Sequence, residues 1–214
     1  MYKHFFKRVF DFLISLVALI IISPILLVIT VWLHFANKSA GAFFFQERPG
    51  KDGKIFKVIK FKSMTDERDS EGNLLPDKDR ITKVGMFVRK TSVDELPQLI
   101  NVLKGDMALI GPRPLLPEYL PWYTPEEMRR HEVRPGISGL AQSHGRNNLT
   151  WEETFADDVY YVDHMSLLLD IKIIFSTIIN VLRHKDITVV PTGGTTGRLD
   201  LARAALKEQQ LEKS

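Results

Sequence analysis

The sequence predicts a mixed, helix-rich α/β fold, in which a small domain with a short β-hairpin is attached to an N-terminal membrane helix. Three observations carry that reading. From Phe12 to Leu33 no residue is charged and nearly every position is apolar, about the length that crosses a bilayer core. Next, two apolar runs flank the turn-forming stretch Arg48-Pro-Gly-Lys-Asp-Gly53, as in a hairpin. Beyond it, apolar residues recur at helical spacing in several separate windows.

The membrane segment comes first. Lys3, Lys7 and Arg8 precede it and Lys38 follows. It is too long for the apolar region of a signal peptide and lacks a small-residue cleavage site. Two readings stay open. Length alone makes it a spanning helix. The other reading rests on Ser23-Pro24 near its middle. Proline lacks an N–H and clashes with the carbonyl four residues back, so a kink or break is expected. Ser23 is placed to satisfy a backbone group freed there. A sharp bend would return the chain to its own side as a re-entrant hairpin, and positive charge on both flanks fits two cytoplasmic ends. The expected division is a re-entrant helix-break-helix over 1–36, a catalytic domain over 37–186 and a tail over 187–214.

The remaining elements follow in order. Ala42 to Phe45 and Ile55 to Met64 form the hairpin strands, with Phe56, Val58 and Lys60 on one face. Thr65 to Thr82 is polar and reads as a surface loop. Leu96, Leu99, Ile100 and Leu103 predict an amphipathic helix ending near Gly105. Pro125 to Glu132 predicts a short helix capped by Thr124. Arg134-Pro-Gly136 opens a loop that runs to Asn148. Trp151 to Tyr161 and Leu167 to Leu182 are helical, and the second carries Leu168, Ile171, Phe175, Ile178, Ile179 and Leu182 on one stripe. That stripe suits a core or a membrane surface. After about Pro191 the chain is Gly/Thr-rich and then charged, as in a tail or an interaction segment.

Composition narrows the function classes. With 44% hydrophobic and 26% charged residues the 214-residue chain is globular rather than disordered. It has no cysteine, which excludes disulfides and thiolate metal sites. The net charge of +3 favours anionic partners weakly. There is no P-loop, dinucleotide fingerprint or nucleophile elbow. Nucleic acid is not expected as a partner, since no recognised motif accompanies the charge.

The stretch Arg89 to Gln98 holds the focal chemistry. Ser92-Val-Asp-Glu95 has the form of a capping box, and one reading makes Asp94 and Glu95 simply first-turn acids favoured by the helix dipole. Pro97 shifts that reading. With Ser92 as N-cap, Pro97 falls at the fifth helical position; with Asp94 as N-cap it falls in the tolerant first turn. An Asp94 carboxylate at that end would be ionised and close to an anion site. It then has the means to attack phosphorus and form an acyl-phosphate, provided cations offset the charge repulsion. Arg48, Arg89, Arg113, Arg134 and Arg146 all neighbour turn residues or element edges, and arginine suits bidentate phosphate contact. Lys60 and Lys62 stand on the proposed strand. No histidine spacing suits a metal.

Several motifs in one order carry a resemblance. They are Phe45-Gln-Glu-Arg-Pro-Gly50, Lys60-Phe-Lys-Ser-Met64, Ser92-Val-Asp-Glu-Leu-Pro-Gln-Leu99, Asn101-Val-Leu-Lys-Gly-Asp-Met107, Gly111-Pro-Arg-Pro114, Arg134-Pro-Gly-Ile-Ser-Gly139 and Gly145-Arg-Asn147. From Lys7 to about Arg183 the chain resembles the bacterial sugar transferases, the monotopic phosphoglycosyl transferases, and among them the small PglC-like members. The resemblance implies a re-entrant helix broken at Ser23-Pro24 and a cytoplasmic-face location in the bacterial inner membrane, with further helices at the interface. It implies a catalytic dyad of Asp94 and Glu95. Asp94 would attack the β-phosphate of a UDP-sugar, release UMP and pass the phospho-sugar to polyprenyl phosphate, typically undecaprenyl phosphate. Mg²⁺ would assist, with Asp94 as a ligand. Pro112, Arg113 and Pro114 would contact the nucleotide and Arg89 a phosphate, while Lys60, Arg134 and Arg146 match motif positions. UDP-N,N′-diacetylbacillosamine is one expected donor. Ser63, Val93 and Ser143-His144 depart from the usual pattern. The competing reading is a non-catalytic membrane adaptor that binds anionic lipid or a partner enzyme.

Overall fold

A computed structural model describes residues 1–38, 40–145, 149–182 and 198–211. After a π-helical turn at Tyr2–Phe6, helix α1 (Lys7–Ala36) runs for 30 residues. At the expected kink or break, Pro24 lies inside a single helical element. The reason lies one residue earlier. Proline at 24 deprives the Ile20 carbonyl of its usual partner, and the Ser23 hydroxyl donates to that carbonyl at 2.9 Å. The window is apolar enough to cross a membrane by length and composition, with a mean hydropathy of 3.1.

Both ends of α1 nonetheless pack on the same domain. At the N-terminal end Lys7 donates to Asp170 at 2.8 Å, Tyr2 donates to the same carboxylate, and Arg8 donates to the carbonyls of Val102 and Leu103. At the other end Ile29 and Leu33 are buried with Ala42, Phe61 and Val88. There the Asn37 amide donates to the carbonyls of Gly41 and Lys62. Lys7, Asp11, Ser15, Ile29 and Leu33 are the buried positions, spaced as one stripe of a helix. The remaining surface is exposed and apolar, Ile21 at 69% among it.

Strands β1 (Phe43–Pro49) and β2 (Ile55–Phe61) form the expected antiparallel hairpin, with Gln46 opposite Val58 and Phe44 opposite Lys60. The 65–82 segment is more structured than a loop. It holds helix α2 (Asp77–Arg80) and antiparallel bridges joining Met64 to Ile81 and Arg68 to Leu74. Helix α3 (Lys83–Lys90) begins at Thr82, whose side chain accepts from Gly85 N–H. Gly85 approaches Ser63 so closely that a β-carbon would fall 1.8 Å from its carbonyl oxygen. Helix α4 (Gln98–Lys104) ends at Gly105 with φ +93°, a left-handed terminus that favours glycine.

The region expected as a loop from Arg134 is corrected. Strand β3 (Ala108–Ile110) pairs in parallel with β4 (Gly136–Ser138), and helix α6 (Leu140–His144) follows. Between these strands lies helix α5 (Pro125–Met128), with the expected Thr124 cap as a full capping box. The β3–β4 crossing is glycine-dependent. A β-carbon on Gly136 would sit 2.1 Å from the Gly111 nitrogen, and one on Gly139 2.3 Å from the Gly111 oxygen. That accounts for three glycines in two of the motifs.

Helix α7 (Trp151–His164) starts where predicted and runs one turn past Tyr161, and α8 (Leu167–Leu182) matches its predicted span. On α8, Ile173 is buried against Ile110, Leu140 and Tyr161, whereas Leu168, Phe175 and Ile178 are at least half exposed. The predicted stripe is thus the outward one, and the core takes the opposite face. Of the expected tail or interaction segment over 187–214, residues 187–197 and 212–214 lie outside the described residues. Residues 199–211 form helix α9 (Leu199–Leu211), whose Leu199 is buried with Tyr119, Trp151 and Phe155. Its Arg203 donates to Glu127 and to the Trp122 carbonyl.

Candidate active site

Asp94 and Glu95 lie in a 3₁₀ turn, Val93–Glu95, just before α4. Ser92 precedes the turn with φ +57°, and its side chain makes no cap bond. The N-cap of α4 is Pro97. Both capping expectations are therefore corrected: neither Ser92 nor Asp94 caps α4. A non-glycine residue in the left-handed region costs of order 1–3 kcal/mol, and such residues cluster at functional sites. Here the strain turns the chain so that Asp94 and Glu95 face the hairpin.

The two carboxylates sit in different environments. One Glu95 oxygen accepts from Lys60 at 2.8 Å and from Arg113 at 2.9 Å. Burial alone would raise the Glu95 pKa, but Arg113 and Lys60 hold it well below the usual carboxylate range. Asp94 has no hydrogen bond or ion pair to another described side chain. Burial and the Glu95 charge push its carboxyl up to about 6, against the pull of Lys60, Arg89 and Arg113. Such a group is still mostly ionised at neutral pH, and a higher pKa makes its carboxylate a stronger nucleophile.

Each cation is delivered by a separate piece of scaffold. Lys60 stands on β2, and β2 is tied to α4 through Asn101. This fully buried amide accepts from Ile59 N–H at 3.0 Å and donates to the Lys57 carbonyl at 2.8 Å. Arg89 leaves the last turn of α3 and donates to the hydroxyl of Ser63, one of the positions that depart from the usual pattern, at 2.7 Å. Arg113 follows β3. Its backbone carbonyl accepts from the buried Arg130 guanidinium at 2.7 Å, which also donates to Asp158 and to the Tyr123 hydroxyl. Pro112 and Pro114 line a small crevice with Pro49, Arg113 and His131. His131 bonds the Gly50 carbonyl through Nδ1 and leaves Nε2 buried without a partner. Burial and the Arg130 charge push that imidazole down to about 4, which keeps it neutral.

The structure therefore gathers Asp94, Glu95, Lys60, Arg89 and Arg113, with Pro112 and Pro114 alongside. Arg134 is not gathered: it donates to the Gly105 carbonyl at 2.7 Å, at the far end of α4, where it satisfies a helix terminus. Arg146 lies outside the described residues. Sequence reasoning missed Arg130 and Asn101. Asn101 belonged to a recognised motif without a role, and Arg130 sat in a helix that looked like polar surface. Among the described residues no group of three or more histidine and acidic side chains is arranged to hold a metal.

Comparisons with known proteins point to one family. A family profile described as bacterial sugar transferase matches residues 2–184. An uncharacterized sugar transferase EpsL of Bacillus subtilis is 52% identical over 176 residues, covering 82% of this chain and 87% of that protein. The undecaprenyl-phosphate galactose phosphotransferase of Salmonella typhimurium is 40% identical over 198 residues, 85% of this chain and 41% of that protein. The UDP-glucose:undecaprenyl-phosphate glucose-1-phosphate transferase of Klebsiella pneumoniae is 43% identical over 183 residues, 81% of this chain and 39% of that protein. The chain thus spans most of the Bacillus protein and about two fifths of the other two. The family match and the named relatives place the chain among the sugar-phosphate transferases. The chain belongs to the bacterial sugar transferase family.

Proposed function

We propose that this protein transfers a phospho-sugar from a UDP-sugar to polyprenyl phosphate, using Asp94 as a covalent nucleophile and releasing UMP. The observation that carries the reading is the division of labour in the dyad: Glu95 is locked between Lys60 and Arg113, while Asp94 is left uncommitted beside it. An Asp94 oxygen attacks the sugar-bearing phosphorus. The bond from that phosphorus to the bridging oxygen breaks, and UMP departs with the oxygen. Lys60, Arg89 and Arg113 offset the charge on the phosphate oxygens, as preorganised cations do in phosphoryl transfer. A phosphate oxygen of the polyprenyl phosphate then attacks the same phosphorus, breaking the acyl–oxygen bond to phosphorus and freeing Asp94. Both phosphates enter ionised, so no general base is needed. Glu95 acts chiefly by holding Lys60 and Arg113 in place.

Asp94 and Glu95 provide two adjacent carboxylates, and Mg²⁺ commonly takes one or two carboxylates together with substrate phosphates. The donor set fits that ion. When bound there, it would supply further neutralisation of diphosphate charge.

The packing of both ends of α1 on one domain supports monotopic, one-sided membrane association, with the exposed faces of α1 and α8 in the lipid. Cationic flanks favour the cytoplasmic face. Among the relatives described above, those whose names specify a sugar carry galactose or glucose, and none names a diacetylated sugar. UDP-galactose and UDP-glucose are therefore the first donors to test. Purified protein with Mg²⁺, undecaprenyl phosphate and each of a panel of UDP-sugars is expected to release UMP with at least one. Silence across the panel would favour the adaptor reading.

A further inference from the structure

The hairpin presents a second cation to the active site. Residues facing one side of β1 and β2 alternate, so Phe44, Gln46 and Arg48 share a face with their partners Lys60, Val58 and Phe56. Lys60 on that face reaches Glu95. Arg48 stands at its other end, about 13 Å farther along at strand spacing. Its neighbour Pro49 lines the same crevice as Pro112 and Arg113. Arg113, which bonds Glu95 and acts electrostatically on Arg48, thus connects the dyad to the Arg48 end of that face.

Arg48 is unlike Lys60 and Arg113. Among the described residues its hydrogen-bond partner is neutral, the Gln46 side-chain oxygen at 2.6 Å. Among the described residues no carboxylate comes within ion-pair distance. The acidic side chain facing it is Glu118, which is engaged with Arg198. Tyr119 and Tyr123 also face it, and Arg113 is the nearest like charge. Burial first, then the Arg113 charge, push the Arg48 guanidinium down to about 10. A half-buried cation beside another cation, satisfied by one amide, is costly unless an anion completes it.

We propose that Arg48, with Arg113, binds the nucleotide-side phosphate of the donor, the one that departs as UMP. The inference rests on the UDP-sugar reading above. A phosphate between two guanidiniums would relieve their repulsion one phosphate beyond the attacked phosphorus. The Lys60 to Arg48 face would then set the donor's polarity, with the sugar-bearing phosphate at Asp94 and the nucleoside toward Tyr119 and Tyr123.

The test compares wild type, Arg48→Gln and Arg48→Lys as full-length protein in detergent, with folding checked by circular dichroism. The readouts are the KM for the UDP-sugar, the KM for undecaprenyl phosphate and inhibition by added UMP. Arg48→Gln is expected to raise the donor KM and weaken UMP inhibition by about 10- to 100-fold, the scale of lost charge-assisted hydrogen bonds. The acceptor KM stays unchanged, and Arg48→Lys recovers part of the loss. Unchanged donor KM and UMP inhibition in folded Arg48→Gln overturn the proposal, as does a parallel rise in both KM values, which marks a scaffold role. If Arg48→Gln does not fold, Arg48→Lys decides by the same readouts. Wild type that neither releases UMP nor responds to it overturns the function itself instead.

Discussion

The Arg130 guanidinium donates to the Arg113 backbone carbonyl at 2.7 Å from a position 2% exposed, while pairing with Asp158 behind it. A fully buried ion pair therefore anchors the segment that carries an active-site cation. Arg130→Met is expected to strand the buried Asp158 charge and cost about 3–5 kcal/mol, read by denaturant unfolding. Arg130→Met with Asp158→Leu should recover much of that stability. Low activity that persists in the stable double variant would assign the Arg113 carbonyl contact a positioning role. Full activity would remove it.

Asp94 contributes to stability with an unusual sign. Its folded pKa, about 6, lies above the ordinary value of 3.8, so the folded state favours the protonated form. That contribution is present below about pH 4 and is lost as pH rises through 6. At neutral pH Asp94 therefore destabilises the fold, by up to about 3 kcal/mol for a shift of this size. Asp94→Asn is expected to raise the melting temperature at pH 7 and change it little at pH 3.5. A helix cap would behave oppositely, losing about 1 kcal/mol on substitution.

The same shift sets the acid limb of activity. Turnover should fall below about pH 6 as Asp94 takes up its proton. Lys60 lowers that pKa, so Lys60→Met is expected to move the limb upward. A pH–rate profile whose acid limb stays in place in Lys60→Met would separate Lys60 from Asp94.

At the β3–β4 crossing, Gly136→Ala places a carbon 2.1 Å from the Gly111 nitrogen, a backbone atom that cannot yield cheaply. The expected result is loss of folded protein in expression and thermal-melt assays. Gly53→Ala serves as the contrast. A β-carbon there meets nothing, and only its φ of +72° is strained.

Membrane topology has its own measurement. Single cysteines at Met1 and Lys38, near the two docked ends of α1, should both be labelled from the cytoplasmic side. Labelling from opposite sides would make α1 a true span. Because Ser23 satisfies the Ile20 carbonyl, Ser23→Ala with Pro24→Ala tests whether this pair governs that placement.

Legibility followed the range of the interactions. Thr124 and helices α7 and α8 were readable because caps and helical periods are local signals. The hairpin was readable from its turn. The three-residue strands β3 and β4 carry no period, and their pairing joins residues far apart in sequence. Asp94 was singled out for chemistry, but as an N-cap. The left-handed Ser92, which no local rule predicts for serine, moved it into a turn. At Pro24 a kink or break was expected, and the Ser23 hydroxyl takes the Ile20 carbonyl that the proline frees. Arg130 and Asp158 were illegible, since a buried pair 28 residues apart looks like two surface charges until the fold closes.

The central claim is that Asp94 carries the phospho-sugar. The direct measurement is mass spectrometry of protein incubated with a turned-over UDP-sugar in the absence of polyprenyl phosphate, quenched in acid and digested. The account predicts a phospho-sugar mass on the peptide containing Asp94, discharged by later addition of undecaprenyl phosphate and absent in Asp94→Asn. UMP release by a folded Asp94→Asn protein, or an adduct at any other residue, would contradict it.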